Sequence, residues 1–227
     1  NCRGLKSKKD SFVHLIHSQS PHFIAGTESW LDPTTFSSEI FPTNYQVFRK
    51  DRSDGYGGVF FACINTINCS QVTIAGPCEC IVCRVELTNS KVLIVITAYR
   101  PPNRDLVYVH NLCQIIADIY STYKNAVIWI TGDFNLPDIN WNYNSVTNNS
   151  YPLDISTLFI DELNSGGFIQ MVEQPTRGNN ILDLFATNRP SLIRQIKIIP
   201  GISDHEIVSV ELSLLVPLDK PKVHNVY

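Results

Sequence analysis

Two short polar clusters stand where apolar runs begin or end. Gly132-Asp133-Phe134-Asn135 follows Ala126-Val127-Ile128-Trp129-Ile130 and is closed by Pro137, and Ser203-Asp204-His205 precedes another strand-like run. An acid and an amide at alternate positions, at the end of a buried strand, leave the sheet edge in the same direction. Alone, the first cluster reads equally well as a strand-to-turn junction. Together, the two read as pieces of a reaction site carried by different strands. Collecting the polar residues that flank apolar strands gives Glu28, Tyr99, Asp133, Asn135, Asp183, Asp204 and His205, with Asn1 added although nothing precedes it. Hydrolysis of a phosphodiester needs such a set. A hard divalent cation asks for carboxylate oxygens, with which it polarises the phosphate and offsets developing charge. The attacking water needs a carboxylate to orient or deprotonate it. The transition state needs donors on its non-bridging oxygens, for which His, Asn and Tyr serve, and a second carboxylate holds the His in its useful tautomer. The bland alternatives are a core tyrosine at Tyr99, a capping Asp183, a surface acid at Glu28 and a strand-start turn at Asp204-His205. His14, His17, His22, His110 and His224 receive no role.

The elements that must carry these residues are legible as patterns. Phe12, Leu15 and Ile16 have helical spacing, and Pro21 stops that helix. Phe23-Ile24-Ala25-Gly26 reads as a short strand that delivers Thr27-Glu28-Ser29-Trp30 to its end. Further strands are expected over Gly57–Ile64, Ile81–Leu87 and Val92–Ile96, the last two joined by a turn at Asn89-Ser90 and the last ending at Tyr99-Arg100-Pro101-Pro102. Leu106 to Tyr123 has helical period with Asp105 as its cap, and a second helix around Ile155 to Leu163 ends at Gly166-Gly167. The stretch from Asn140 to Asn149 reads as a surface loop. Val208, Val210, Leu212 and Leu214 alternate with polar residues, as a half-buried strand requires. Hairpins mixed with helices point to a layered sandwich rather than an alternating βαβ array.

Composition narrows the class. The 227 residues, 44% hydrophobic, suit one packed domain, and the net charge of −3 does not announce a nucleic-acid binder. A carboxylate-rich site that holds a cation would itself start negative. Basic residues cluster at Arg3, Lys6, Lys8 and Lys9 and again at Arg49, Lys50 and Arg52, either as solvated surface or as a rim that positions a polyanion. The seven cysteines form no disulfide framework and no secretory signal is present, which points to a reducing intracellular compartment. Cys78, Cys80 and Cys83 lack a second ligand pair and read as buried thiols rather than a zinc site. No stretch approaches a membrane span. The start at Asn1 rather than Met reads as a domain of something longer.

With these residues in order, the chain resembles the endonuclease/exonuclease/phosphatase family. The motifs are Asn1-Cys2-Arg3-Gly4-Leu5, Thr27-Glu28-Ser29-Trp30-Leu31, Ala98-Tyr99-Arg100-Pro101-Pro102, Gly132-Asp133-Phe134-Asn135, Asp183-Leu184-Phe185-Ala186-Thr187 and Ser203-Asp204-His205. Glu-Ser-Trp-Leu, Tyr-Arg-Pro-Pro-Asn and Gln174-Pro175-Thr176-Arg177 look most like its non-LTR (LINE-class) retrotransposon branch. The resemblance implies an α/β fold of the α+β type: a DNase I-like four-layer sandwich of two packed, mostly antiparallel sheets flanked by helices. It implies a domain over residues 1–216 with a linker or tail over 217–227. It implies Glu28 as principal metal ligand with Asn1 helping, and Asp204 near the metal or supporting His205. Asp133 would act on the water, Asn135 and Tyr99 on the phosphate, and His205, oriented by Asp183, on the transition state. Arg3 and Arg100 would contact DNA, and Thr176 and Asn180 would either contact DNA or support the residues that act on it. The activity implied is a Mg²⁺-dependent endonuclease, with Mn²⁺ able to substitute, that nicks DNA and leaves a 3′-hydroxyl. Its partners would be DNA and a downstream reverse transcriptase, and it would work as a monomeric domain, in the nucleus when acting on genomic DNA. The alternatives are a phosphatase or phosphodiesterase on small or lipid phosphates, and a truncated non-catalytic relic. One departure stands out: the family has a central strand before the Asn motif, and here that strand is missing. Its absence would leave two neighbouring strands with unpaired backbone groups.

Overall fold

The structure is a computed structural model and describes residues 1–88, 91–103, 105–147 and 149–213. The chain begins with helix α1 (Lys9–Gln19) and strands β1 (Phe23–Thr27), β2 (Tyr45–Lys50), β3 (Val59–Ile64), β4 (Cys69–Val72), β5 (Glu79–Glu86) and β6 (Val92–Tyr99). It continues through α2 (Leu106–Thr122), β7 (Val127–Asp133), β8 (Ile139–Asn140), β9 (Ser145–Val146), α3 (Leu153–Ser165), β10 (Ile169–Gln170), β11 (Asp183–Thr187), β12 (Ile193–Ile199) and β13 (Ile207–Leu212). The larger sheet has the order β10-β11-β7-β6-β5-β4, antiparallel except for β6 and β7. A parallel pair needs a crossover, and α2 supplies it. A second sheet runs β1-β3-β2, and β12 and β13 form a separate hairpin.

The period of two along each strand sorts the side chains into layers. Val59, Phe61 and Cys63 of β3 meet Ile81, Cys83 and Val85 of β5 between the sheets, together with Val95, Trp129 and Phe185. The hairpin packs Ile196, Ile198, Val208 and Val210 onto the same layer. The opposite face of the larger sheet, with Val82, Ile94, Ile96, Ile128 and Ile130, receives Val109, Leu112 and Ile116 of α2 and Ile155, Phe159 and Leu163 of α3. On the far side of the smaller sheet, Phe12 and Ile16 of α1 pack with Phe41, Phe60 and Ala62. The result is the expected four-layer sandwich. The central strands read as unbroken apolar runs because both of their faces are buried. Each aliphatic side chain so buried contributes roughly 1.5–3 kcal/mol, so the layers rest on packing. Caps only set the ends: the Asp105 carboxylate accepts the Tyr108 N–H at 3.1 Å, and α1 ends at Ser20 in a left-handed conformation, before Pro21.

Several elements differ from the sequence reading. Gly57 and Gly58 lie outside β3, at φ 61° and 82°, and turn the chain into it. The Asn140–Asn149 stretch contains the small hairpin β8–β9. Strands β2, β4, β10 and β12 escaped notice because they are short or carry exposed polar residues, such as Ser70 and Gln71 in β4 and Gln195 and Lys197 in β12. The second basic group is turned to internal use. Arg49 bonds the carbonyls of Thr35 and Asp32 and the carboxylate of Asp51, Lys50 bonds the Cys78 carbonyl at 2.7 Å, and Arg52 pairs with Glu79. Cys78 and Cys80 face the helices while Cys83 faces the other sheet, so they cannot share a metal; all seven cysteines are free thiols. The Asn89-Ser90 turn, Leu214, His224 and the tail from Pro217 lie outside the described residues.

Among the described residues, β1 pairs only with β3, and β13 only with β12. Asn1 and Cys2 bridge their ends: the Cys2 N–H donates to the Thr27 carbonyl at 2.8 Å, and the Asn1 carbonyl accepts the Ser203 hydroxyl at 2.8 Å.

The ends of β6 and β7 approach closely, and Gly132 permits it. At φ 130°, a Cβ there would lie 1.9 Å from the Ala98 carbonyl oxygen, a backbone atom with nowhere to move. Gly132→Ala is therefore expected to cost on the order of 3 kcal/mol, read as a lowered urea midpoint. A midpoint matching the parent would contradict this strand register.

Candidate active site

The larger sheet places polar residues in a row across its edge. Glu79 of β5 lies opposite Tyr99 of β6, Tyr99 opposite Asp133 of β7, and Asp133 opposite Asp183 of β11. Residues directly opposite one another share a face, so four neighbouring strands aim these side chains the same way. Glu28 arrives at the end of β1 in the facing sheet, and His205 in the segment just before β13. Asn1 joins the two sides. Its amide Nδ2 donates to Glu28 Oε1 at 2.9 Å and to Asp133 Oδ2 at 2.7 Å, while the Tyr99 hydroxyl donates to Glu28 Oε1 at 2.7 Å. His205 Nδ1 lies 2.7 Å from Asp183 Oδ2, and the Asn1 ammonium lies 3.3 Å from Asp183 Oδ1. One ligand atom each from Asp133, Asp183 and His205 falls within 4.8 Å of the others, close enough to hold a metal ion.

Burial sets the electrostatics. Asp133 is only 1% exposed, and desolvation, reinforced by the Asp183 charge, pushes its carboxyl up to about 7 despite the opposing pull of His205 and the Asn1 amide. Burial disfavours the Asp183 charge as well, and the hydrogen bond with His205 favours it. Burial and the Glu28 carboxylate raise the Tyr99 hydroxyl, which stays a donor at neutral pH.

A strained backbone holds the site. Glu28 and Asn135 adopt left-handed φ of 49° and 48°, a conformation that persists where surrounding contacts enforce it. At Asn135 those contacts are reciprocal. Its amide Nδ2 donates to the Arg100 carbonyl at 2.9 Å, Arg100 Nη1 donates to the Asn135 carbonyl at 2.9 Å, and the Asn135 N–H donates to Asp133 Oδ1 at 3.1 Å.

These positions refine the expected roles. Arg100, assigned to DNA, is fully buried, with its guanidinium 4.5 Å from the Tyr151 ring centroid, so it braces the Asn135 turn and cannot reach a substrate. Thr176 takes the supporting one of its two expected roles: it is fully buried and accepts the N–H groups of Leu182 and Asp183 at 3.0 Å, so it sets the position of Asp183. Asp204, assigned to the metal, is taken up by Arg3 at 2.8 Å and Arg177 at 2.7 Å; those guanidiniums outweigh partial burial and hold it down at about 2. Asn1 presents its amide nitrogen to both carboxylates and so bridges Glu28 and Asp133, while its Oδ1 accepts the Arg3 N–H at 3.2 Å. Arg3 and Asn180 are exposed. Asn180 lines a cavity of about 380 Å³ with Asn135, Tyr151 and Arg177.

Sequence reasoning missed two supports. Glu79 is buried and accepts the Gly58 N–H at 2.7 Å, and Gly58 and Gly57 in turn accept the N–H groups of Ser29 and Trp30, next to Glu28. Tyr108 donates its hydroxyl to the Tyr99 carbonyl and accepts the Glu79 N–H, both at 2.8 Å. An acid opening an otherwise apolar strand was the available signal for Glu79. Tyr108 lies inside a helical stripe and gave none.

Comparison with known proteins follows the geometry. Residues 93–209 match the family model described as endonuclease-reverse transcriptase. No curated protein matches the chain. Among solved structures, the chain is similar to the endonuclease domain of TRAS1, a telomere-specific non-LTR retrotransposon, at 14% identity and TM-score 0.67, covering 95% of this chain and 94% of that one. It is similar to the 3′ phosphatase NExo from Neisseria bound to a product DNA hairpin, at 11% identity and TM-score 0.71, covering 93% and 96%. An AP endonuclease from Archaeoglobus fulgidus aligns at 12% identity and TM-score 0.66, covering 94% and 97%. At these identities the likeness establishes the fold, a DNase I-like sandwich. The family match is independent of it and spans more than half of the sequence: the chain belongs to the endonuclease–reverse transcriptase group of the endonuclease/exonuclease/phosphatase family.

Proposed function

We propose that this chain is a Mg²⁺-dependent endonuclease that hydrolyses phosphodiester bonds in duplex DNA and leaves a 3′-hydroxyl. The observation that carries the reading is the convergence of Glu28 from one sheet, Tyr99, Asp133 and Asp183 from the other, and His205 from the segment before β13. The donor set fits a hard cation. Both hydrogen bonds to Glu28 fall on Oε1, so Oε2 keeps its lone pairs, and the protonation forced on Asp133 is the response of a buried acid beside another acid. When bound, the cation polarises the phosphate and neutralises developing charge. Glu28 holds it, and Mn²⁺ offers the same oxygen-ligand chemistry. Asp133 orients the attacking water and takes its proton at a carboxylate oxygen. Asp183 fixes the Nδ1 side of His205, which presents Nε2 to a non-bridging phosphate oxygen. Tyr99 keeps Glu28 in place, and the Asn135 amide faces the scissile phosphate. Outside this centre, Arg3 and Asn180 supply exposed polar contacts for DNA. The domain spans residues 1–216 and works as a monomer joined to a reverse transcriptase in the same polypeptide, acting on genomic DNA in the nucleus. Among the described residues, no helix is long and apolar enough to cross a membrane.

The reading predicts nicking of supercoiled plasmid with Mg²⁺ or Mn²⁺ and its loss with a chelator. Glu28→Ala, Asp133→Ala and His205→Ala are each expected to lower the rate by roughly 10²–10⁴-fold. Unchanged nicking in all three purified variants would falsify it. Release of inorganic phosphate from inositol phosphates faster than plasmid nicking would favour a phosphatase instead.

Asp133 also makes stability depend on pH. Its folded pKa, about 7, lies above the unfolded value of 3.8, so the folded state binds that proton more tightly. The corresponding stability is full below pH 3.8 and is lost as pH rises through about 7. In a chelator the melting temperature should fall between those pH values, Mg²⁺ should reduce the fall, and Asp133→Asn should flatten it. A flat chelated profile for the parent would refute the assignment to Asp133.

A further inference from the structure

We propose that Cys69 is an oxidation site: a peroxide converts its sulfur to a sulfenic acid, and Cys63 captures it as a disulfide that ties the two sheets together. The site does not depend on the endonuclease reading. It also lies away from the catalytic centre, since Cys63 pairs with Phe23, at the end of β1 opposite to the one that delivers Glu28.

Three strands bring three thiols to this place. Cys63 of β3 and Cys83 of β5 are wholly buried in the layer between the sheets, and Cys69 of β4 packs against that layer. Cys69 lies opposite Val85 in the β4–β5 ladder, so it shares the inward face of Val85 and Cys83. Cys63 meets that face from the smaller sheet. Exposure separates the three. All seven cysteines lie among the described residues; six are buried, and Cys69 is only partly so. It opens β4, an edge strand, and exposed Ser70 and Gln71 follow it, so a solute as small as a peroxide approaches it from water.

The neighbouring thiols activate Cys69. The S–H groups of Cys63 and Cys83 donate to its sulfur and hold its thiol well below the ordinary value, while both donors are pushed up. The Cys63 S–H has the Ile64 carbonyl, at 3.6 Å, as its alternative acceptor. The thiolate is the nucleophile of thiol chemistry, so oxidation starts at Cys69. Its sulfur attacks one peroxide oxygen, the O–O bond breaks, and the hydroxide that leaves takes up a proton as water. The Cys63 sulfur then attacks the sulfenic sulfur. An S–S bond forms, the S–O bond breaks, and the departing hydroxide takes the Cys63 proton as a second water. Two thiols are oxidised and one peroxide is reduced. Cys83 is the poorer capturing group because it sits diagonally from Cys69 on the adjacent strand. Diagonal Cα atoms stand roughly 7–8 Å apart, at or beyond the ~7 Å that a disulfide spans.

The test uses the whole chain. Brief treatment with hydrogen peroxide, alkylation of the remaining thiols and peptide mass mapping should show the loss of one hydrogen pair and a cross-link from Cys63 to Cys69, reversed by dithiothreitol. Cys69→Ser should abolish the mass change. In Cys63→Ala, oxidation should stop at the sulfenic acid, which dimedone traps at Cys69. Mapping of the parent needs no variant, so the result stands even if Cys63→Ala fails to fold. An unmodified Cys69 after peroxide, a cross-link from Cys69 to Cys83, or the same mass loss in Cys69→Ser overturns the proposal.

Discussion

Two carboxylates that should repel each other face directly across one β-ladder. Asp133 and Asp183 are cross-strand partners, both almost wholly removed from water. Like charges in that position disfavour the pairing, and desolvation adds to the cost. The neighbourhood consists of what offsets it: the Asn1 amide on Asp133, His205 on Asp183, and Thr176 holding the backbone from which Asp183 projects. The pair separates the roles of its members, one acid raised by burial and one held to a histidine, which is how two identical side chains come to do different work in one site.

The supports form a second tier behind the reacting groups. Arg100 and Asn135 hold each other's carbonyls, Glu79 holds the glycine turn that holds the Glu28 segment, and Tyr108 ties Tyr99 to Glu79. Residues with strong chemical character have been spent on geometry. An arginine beside the Tyr99 motif suggests an anion contact by type, yet with no surface exposed its chemistry is directed inward.

That distinction marks how far the sequence could be read. The strands that build the larger sheet were legible because burial on both faces leaves continuous apolar runs, and the polar residues at their ends were legible because they interrupt those runs. Strands such as β4 and β12, half exposed and mixed in composition, carry no such contrast. At the site, residue type and strand-end position identified Glu28, Asp133, Asp183 and His205. They could not tell a surface arginine from a buried one, or reveal that Asp204 spends its charge on Arg3 and Arg177. Those facts depend on which loops meet across the sandwich, and no local pattern records such a meeting.

The close approach of β6 and β7 at Gly132 has a consequence for rigidity. With no side chain between the two backbones, the ends of these strands move as one piece, so Tyr99 and Asp133, cross-strand partners at those ends, keep their spacing.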